Sequence, residues 1–235
     1  MIVPERFNLA NAICKRHEDA IARRALIDIK PAASNTYTYG GLDFLSDKFA
    51  TALAKCGVTE TDAVAVILPQ SAALITAHLG ALKLGASVVP LRVGLDRLAI
   101  EFALSDSQAK AVVADFSVRS GIGELTGNTH LFIAGDNREA NEIKEGAKSF
   151  WRVINASSSD FTAVETLSTS PAFIFYTAES DSVVHNHASL LEKFDNFDIK
   201  DEPVLWPTAD YCSVEVLLGM IYPALWHGHA VAAHS

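Results

Sequence analysis

Hydrophobic residues recur with two alternating periods along the first 135 positions of the chain. Continuous apolar runs rich in Val and Ile, such as those at 63–69 and 110–115, predict strands that are buried on both faces. Between them, apolar residues at helical spacing predict helices over 71–85 and near 96–107. Such strands, separated by helices, predict an α/β fold with a mainly parallel sheet and helices on both faces.

The same patterns predict further elements toward both ends of the chain. Asn8 is placed to cap a first helix, whose apolar positions continue to Ile21. Further strands are predicted at 25–29, 36–39, 87–91, 129–135 and 171–177, and further helices over 42–57, near 186–194 and after 213. A connector rich in Ser and Thr precedes position 170. We therefore expect an N-terminal α/β subdomain over 1–168 and an incomplete second α/β subdomain over 169–235.

Composition and charge restrict the class of partner and the compartment. With 49% apolar residues the chain is globular, and its net charge of −9 argues against nucleic acid or an anionic membrane surface as a partner. Cys14, Cys56 and Cys212 lack C-x-x-C spacing, which excludes a cysteine zinc cage and a disulfide framework and suits a reducing cytosol. Because no window holds ~18 uninterrupted apolar residues, we expect a cytoplasmic protein with no membrane span.

Several stretches resemble motifs of the AMP-dependent (adenylate-forming) acyl-CoA synthetase family, in that family's order. They are DAVAVILPQS at 62–71, AHLGALKLGASVVPL at 77–91, PAFIFYT at 171–177 and PTADY at 207–211. The resemblance covers most of residues 5–234 and implies the N-terminal part of the acyl-CoA synthetase-like fold. By resemblance alone it also implies ATP with Mg²⁺ and CoA as ligands, and a role in fatty acid metabolism.

The chain departs from this family where the phosphates of ATP would bind. In the family the Y-T strand runs into S-G-T-T-G-x-P-K-G, which cradles phosphates with glycine N–H groups, hydroxyls and a lysine. Here Tyr176 and Thr177 are followed by AESDS, which has no glycine or lysine but carries Glu179 and Asp181. Like charges 4 Å apart repel by ~4 kcal/mol near a protein surface, so we expect no family-type ATP binding unless Mg²⁺ bridges the acids. The vestigial nucleotide site would consist of Tyr176, Thr177, Ser180 and Ser182.

A second partial match concerns the acyl pocket. The family has a W-x-x-A-D-x-x-W stretch that helps form the pocket wall. Trp206 and Asp210 match this stretch, whereas Ser213 occupies the position of the second tryptophan. The resemblance therefore implies a substrate site that retains Trp206 and Asp210. The alternative is that Trp206 and the helix around Leu217–Leu218 are ordinary core residues.

Histidines near the C-terminus offer an alternative chemistry. His185 and His187, and likewise His227 and His229, have the H-x-H spacing that places two rings on one face of a strand, as a zinc site requires. No nearby cysteine completes a ligand set, and the related family has comparable sequence there without metal. We therefore expect no metal site.

Together these features predict a truncated acyl-CoA synthetase homologue that does not adenylate a carboxylic acid alone. It would act as a pseudoenzyme, in binding or assembly, with no catalytic residue and no cofactor of its own. Two alternatives stay open: an AMP-forming carboxylic acid–CoA ligase active only with a separately encoded C-terminal half, and an acyl or acyl-CoA binding module. The apolar segment 213–233 needs cover from the first subdomain or from another chain. It therefore favours a homo-oligomer or a complementary ligase chain as partner.

Overall fold

The computed structural model describes residues 3–31, 33–118, 122, 129–135, 146–177, 181–195, 197 and 204–234. The helices are α1 Leu9–Lys15, α2 Tyr39–Lys55, α3 Ala72–Leu84, α4 Arg97–Asp106, α5 Phe150–Ala156, α6 His187–Asp195, α7 Val214–Val216 and α8 Tyr222–Trp226, with a π-helical turn Leu217–Ile221 between the last two. The strands are β1 Arg24–Lys30, β2 Ala33–Thr38, β3 Ala63–Ile67, β4 Ser87–Pro90, β5 Ala109–Asp115, β6 His130–Ala134, β7 Ala147–Ser149, β8 Pro171–Tyr176, β9 Ser182–Asn186, β10 Val204–Leu205 and β11 Ala230–His234.

Two sheets organise the fold. Within the described residues, seven strands form a sheet in the order β7-β6-β5-β3-β4-β8-β9, with parallel pairing except between β8 and β9. A second sheet, also counted within those residues, has the order β10-β11-β1-β2, in which β1 and β2 are antiparallel. The predicted α/β class with a mainly parallel sheet is confirmed.

The boundary expected at residue 168 does not separate the two sheets. β8 pairs with β4 in the seven-stranded sheet, and β11 pairs with β1 in the other. Strands from both sides of residue 168 therefore pair within each sheet. The subdomain limits 1–168 and 169–235 do not correspond to the strand pairing.

One local prediction was wrong, and one strand was not predicted. The first helix ends at Lys15, and Ile21, which fits its spacing, is 87% exposed beyond a turn in which Arg23 N–H donates to the Asp19 carbonyl. Strand β9 was not predicted, because Val183 and Val184 at this sheet edge are exposed and lack the alternating burial that marks a strand.

Helix α3 is buried along its whole length. All of its residues have less than one tenth of their surface exposed, which matches its apolar composition on every face. Ser71 caps its start, and Gly85, with φ of 86°, ends it in the left-handed conformation that glycine tolerates. A Cβ on Gly80 would lie 2.8 Å from Cδ1 of Phe49, so this glycine allows α2 and α3 to pack closely.

The seven-stranded sheet has a hydrophobic cluster on each face. Val64 and Val66 of β3 belong to the cluster that includes α2 and α3, whereas Ala65 and Ile67 belong to the cluster beneath α4. This alternation follows from the two-residue repeat of a strand. Both faces of β3 are therefore buried, as its continuous apolar run predicts.

The apolar C-terminal segment is covered by its own chain. Leu217, Leu218, Ile221 and Val231 are fully buried, and β11 pairs with β1 and β10. Of the two kinds of cover expected for residues 213–233, the structure has cover from the first part of the same chain. Among the described residues, no helix is both long and apolar enough to span a membrane.

A buried ion cluster joins α3 to α2. Lys83 is fully buried, and its Nζ lies 2.5 Å from Asp43 Oδ1 and 2.6 Å from Asp47 Oδ1. Burial by itself lowers the pKa of Lys83, but Cys14 and the two acids together raise it. Burial raises the pKa of the Asp47 carboxyl despite the lysine beside it. Removing either the buried ammonium or its carboxylate partners would leave an uncompensated charge in the core, which is strongly destabilising.

We expect Lys83→Met to lower the free energy of unfolding by about 3–5 kcal/mol, because it leaves buried Asp47 without a cation. Urea unfolding measures this loss. Lys55→Met, at an exposed position of α2, is the matched control and should change stability by no more than ~0.5 kcal/mol. Equal effects of the two substitutions would contradict the role assigned to the cluster.

Candidate functional site

A cleft of ≈ 590 Å³ opens at the carboxyl ends of β4 and β8. Its apolar side is formed by Leu91 after β4 and by Leu95, Ala99 and Phe102 before and within α4. Its polar rim consists of Arg92, Asp96, Tyr176, Thr177 and Asp210. Ligands of open parallel sheets bind outside the carboxyl ends of the strands, and this cleft has that position.

Local hydrogen bonds fix the α4 side of the cleft. The Asp96 carboxylate accepts from Ala99 N–H and so caps α4. At the other end of this helix, Asp106 Oδ2 accepts from the Tyr176 hydroxyl at 2.7 Å. The Phe102 ring meets the Tyr176 ring edge-on, with centroids 5.9 Å apart. Burial, and then Asp106, raise the pKa of Tyr176, so this residue is a neutral hydrogen-bond donor that ties β8 to α4.

The turn after β8 uses the polar atoms of Thr177. Thr177 N–H donates to the Asp181 carbonyl at 2.9 Å, and Asp181 N–H donates to Thr177 Oγ1 at 3.3 Å. Ser182 then starts β9, opposite Tyr176 in the antiparallel pair. The backbone N–H and the hydroxyl oxygen of Thr177 are thus engaged within the turn.

The predicted nucleotide residues have different positions. Tyr176 and Thr177 line the cleft, whereas Ser182 is exposed on β9 and does not. Ser180, with Glu179 beside it, lies outside the described residues. Of the three predicted residues that the structure describes, Tyr176 and Thr177 lie at the cleft and Ser182 does not.

The two predicted acyl-site residues are separated as well. Asp210 lines the cleft, and its Oδ1 accepts from Cys212 N–H at 2.9 Å. Trp206 is 59% exposed and is not part of the cleft wall. Trp206 is therefore not a core residue, whereas Leu217 and Leu218, which the same alternative assigned to the core, are fully buried.

Arg92 and Cys212 are among the cleft residues that were not predicted as site residues from the sequence. Arg92 provides the positive charge among the described cleft-lining residues, which also include the carboxylates of Asp96 and Asp210. The available signal was its position directly after the predicted strand at 87–91. Cys212 lines the cleft too, but its thiol donates to the Leu91 carbonyl at 3.3 Å, and burial raises its pKa. It is therefore a neutral thiol rather than a nucleophile.

The late histidines have separate structural surroundings. Leu9 N–H donates to Nδ1 of His187, which is fully buried, and Nε2 of His227 bonds to the Phe194 carbonyl. Within the part of the chain that the structure describes, no three His, Cys, Asp or Glu residues are grouped to hold a metal ion. His78, on α3, is also fully buried, and its Nδ1 lies 3.2 Å from the Tyr222 hydroxyl.

Comparison with known proteins gives one family. The family model described as AMP-binding enzyme matches residues 12–234. The long-chain-fatty-acid–CoA ligase FadD13 of Mycobacterium tuberculosis is 27% identical over 181 residues, which are 74% of this chain and 34% of that protein. The acetyl-coenzyme A synthetase of Bacillus subtilis is 25% identical over 223 residues, or 87% of this chain and 38% of the relative.

Solved structures give the same fold. An acyl-CoA synthetase of Brucella canis superposes with a TM-score of 0.89 at 22% identity, covering 97% of this chain and 43% of that one. The anthranilate CoA ligase AuaEII, solved with anthranoyl-AMP, superposes with a TM-score of 0.84 at 18% identity, covering 98% of this chain and 45% of that one. The chain thus spans less than half the length of the proteins it matches.

The buried histidines give a testable pH dependence. Burial lowers the pKa of His78 to about 3 and that of His187 to about 4. A folded-state pKa below the unfolded value of 6.5 means that the unfolded chain takes up the proton first. Stability is therefore complete above pH 6.5 and falls as the pH drops toward these values.

We expect the free energy of unfolding at pH 5, relative to pH 7.5, to fall by about 2 kcal/mol more in the wild-type chain than in His78→Gln. Urea titrations at the two pH values measure the difference. His130→Gln, at a half-buried position, controls for loss of a histidine as such. The same pH dependence in all three proteins would refute the contribution of His78.

Proposed function

Because this chain belongs to the AMP-binding enzyme family, with the fold of the N-terminal portion of an AMP-dependent acyl-CoA ligase, we propose that it binds an acyl group and does not adenylate it alone. The ligand class is a carboxylic acid or its CoA thioester, held in the cleft between α4 and residues 210–213. The observation that carries the proposal is a cleft with an apolar wall beside the turn after β8. In that turn the backbone N–H and the hydroxyl oxygen of Thr177 are already hydrogen-bonded to Asp181. A cytoplasmic location and a role in fatty acid metabolism are parts of the same proposal.

The cleft suits an acyl ligand in size and lining. Its volume of ≈ 590 Å³ lies within the range of about 300–1,000 Å³ that is typical of small-molecule sites. Leu91, Leu95 and Phe102 offer apolar contact to a hydrocarbon chain. Arg92 at the rim can pair with a carboxylate through two parallel hydrogen bonds.

The same rim is unsuited to clamping a nucleotide triphosphate. Phosphoryl and nucleotidyl transfer need donors or cations arranged around the reacting phosphates. Here the Thr177 N–H donates within its own turn, and Asp96 and Asp210 add two carboxylates against the charge of Arg92. Each carboxylate at ~4 Å from a phosphate would cost about 4 kcal/mol near the surface.

A second candidate function is that of an AMP-forming carboxylic acid–CoA ligase, of which the described fold forms one part. The share of the relatives' length that this chain spans, 34% of FadD13 and 43% of the Brucella canis enzyme, favours testing it. The AuaEII neighbour, solved with an acyl adenylate, has the same fold in this region, and a retained nucleotide contact here would point to this alternative.

We expect acyl-CoAs, and not Mg·ATP or AMP, to stabilise the chain in thermal unfolding scans. A ligand at 100 times its Kd stabilises by ~2.7 kcal/mol, which raises the midpoint by about 5–10 °C for a chain of this size. Ala99→Phe, which fills the cleft, should abolish the shift, whereas Leu98→Phe on the exposed side of α4 should retain it.

The chain alone should also give no ATP–pyrophosphate exchange with a panel of carboxylic acids. Exchange by the purified chain would overturn the claim that it does not adenylate. A shift with ATP or AMP alone would favour the second candidate. No shift with any acyl ligand would overturn acyl binding in the cleft.

A further inference from the structure

The three cysteines of the chain have very different surroundings. Cys14 is buried in the core, where burial raises its pKa to about 12. The Cys212 thiol is hydrogen-bonded to the Leu91 carbonyl. Cys56 is partly exposed, and Lys148 Nζ donates to its Sγ at 3.0 Å. Of these three, Cys56 combines access to solvent with a neighbouring amine.

Regular structure holds this pair together from distant parts of the chain. Cys56 caps the C-terminal end of α2, and its N–H donates to the Ala52 carbonyl. Lys148 lies in β7, directly opposite Phe132 of β6, and its Nζ is 5.6 Å from the Phe132 ring centroid. Phe132 also packs edge-on against Phe49 of α2, with centroids 5.5 Å apart. The packing of α2 on this sheet therefore sets the distance between sulfur and nitrogen.

We propose that Cys56 and Lys148 form an oxidation-dependent covalent cross-link, a sulfenamide bond between Sγ and Nζ, with a peroxide as oxidant. Peroxide oxidises an accessible cysteine to a sulfenic acid, which condenses with a thiol to a disulfide or with a backbone nitrogen to a sulfenamide. The Lys148 amine, 3.0 Å from Sγ, is a nitrogen nucleophile in the position that such a condensation requires. No other cysteine is in place to act as the resolving thiol among the described residues, since Cys14 and Cys212 lie elsewhere in the core and the cleft. The amine of Lys148 therefore acts as the resolving nucleophile.

The reaction balances in two steps. The Cys56 thiol reacts with one hydrogen peroxide to give the sulfenic acid and one water, so that sulfur loses two electrons and peroxide gains them. The Lys148 amine, after releasing its ammonium proton to solvent, attacks the sulfenic sulfur. The S–N bond forms as the S–O bond breaks, and the leaving hydroxide takes a proton from the nitrogen to become the second water. The cross-linked chain is lighter than the reduced chain by two hydrogens.

The link would fasten the end of α2 to the edge strand of the seven-stranded sheet. Its two ends are 92 positions apart, so it removes much of the conformational freedom of the unfolded chain. Oxidised protein should therefore unfold at a higher temperature than reduced protein, by at least ~5 °C. A thiol reductant should restore both the mass and the midpoint.

The test is a titration of the reduced chain with hydrogen peroxide, followed by intact mass and peptide mapping. We expect a tryptic species joining the peptides of Cys56 and Lys148, and its loss on treatment with dithiothreitol. Dimedone, added with the peroxide, reports sulfenic acid that the lysine has not captured. In Lys148→Arg, which keeps the charge but lacks the amine, dimedone labelling of Cys56 should rise several-fold and the cross-linked species should vanish.

Lys55→Arg is the matched control, because Lys55 precedes Cys56 in sequence and is exposed. It should behave as the wild-type chain does. Thermal scans of the reduced variants confirm that each is folded before oxidation. Equal dimedone labelling of wild type and Lys148→Arg, without a cross-linked peptide, would overturn the proposal. A link that retains an oxygen between the two atoms would overturn the direct S–N bond.

Discussion

The burial of α3 on all sides is the constraint on which the rest of the structure depends. This helix packs between the seven-stranded sheet on one side and α1 and α2 on the other, and it carries His78 and Lys83 into the core. A fully buried ammonium costs several kcal/mol unless it is paired, and Asp43 and Asp47 of α2 provide the pairing. The relative position of α2 and α3 is thus set by charge as well as by the close approach at Gly80.

The cleft follows from this arrangement. Helix α3 connects β3 to β4, and the chain after β4 supplies Leu91 and Arg92 to the cleft. The opposite wall, at 210–213, comes from the segment that leads through α7 and α8 into β11 of the second sheet. The Tyr222 hydroxyl of α8 lies 3.2 Å from Nδ1 of His78 on α3. Helix α3 therefore precedes one wall of the cleft in the chain and contacts the segment that follows the other wall. The frame of the cleft therefore depends on α3.

Much of the fold could be predicted from the sequence, because the hydrophobic patterns that mark its central elements are local. The apolar runs of β3 and β5 and the all-round apolar α3 are consistent with burial on every side, and the family motifs lie in these same segments. The edge strand β9 could not be predicted, since Val183 and Val184 are exposed and carry no burial pattern. The residues of the cleft were more difficult to predict than the strands, because they are brought together by the three-dimensional fold. Arg92 becomes a cleft residue only through the position of β4 in the sheet, and Trp206 is exposed although its motif suggests a pocket wall.

Native-state hydrogen exchange tests most directly whether the two sheets and α3 form one unit. If α3 joins them as described, the slowest amides of β1, β3 and α3 should exchange with one common opening free energy, equal to that of global unfolding. An opening of the β10-β11-β1-β2 sheet at a free energy several kcal/mol lower, with α3 and β3 still protected, would contradict that description. In that case the wall at 210–213 would open independently of the rest, and the cleft would lack the rigid frame assigned to it.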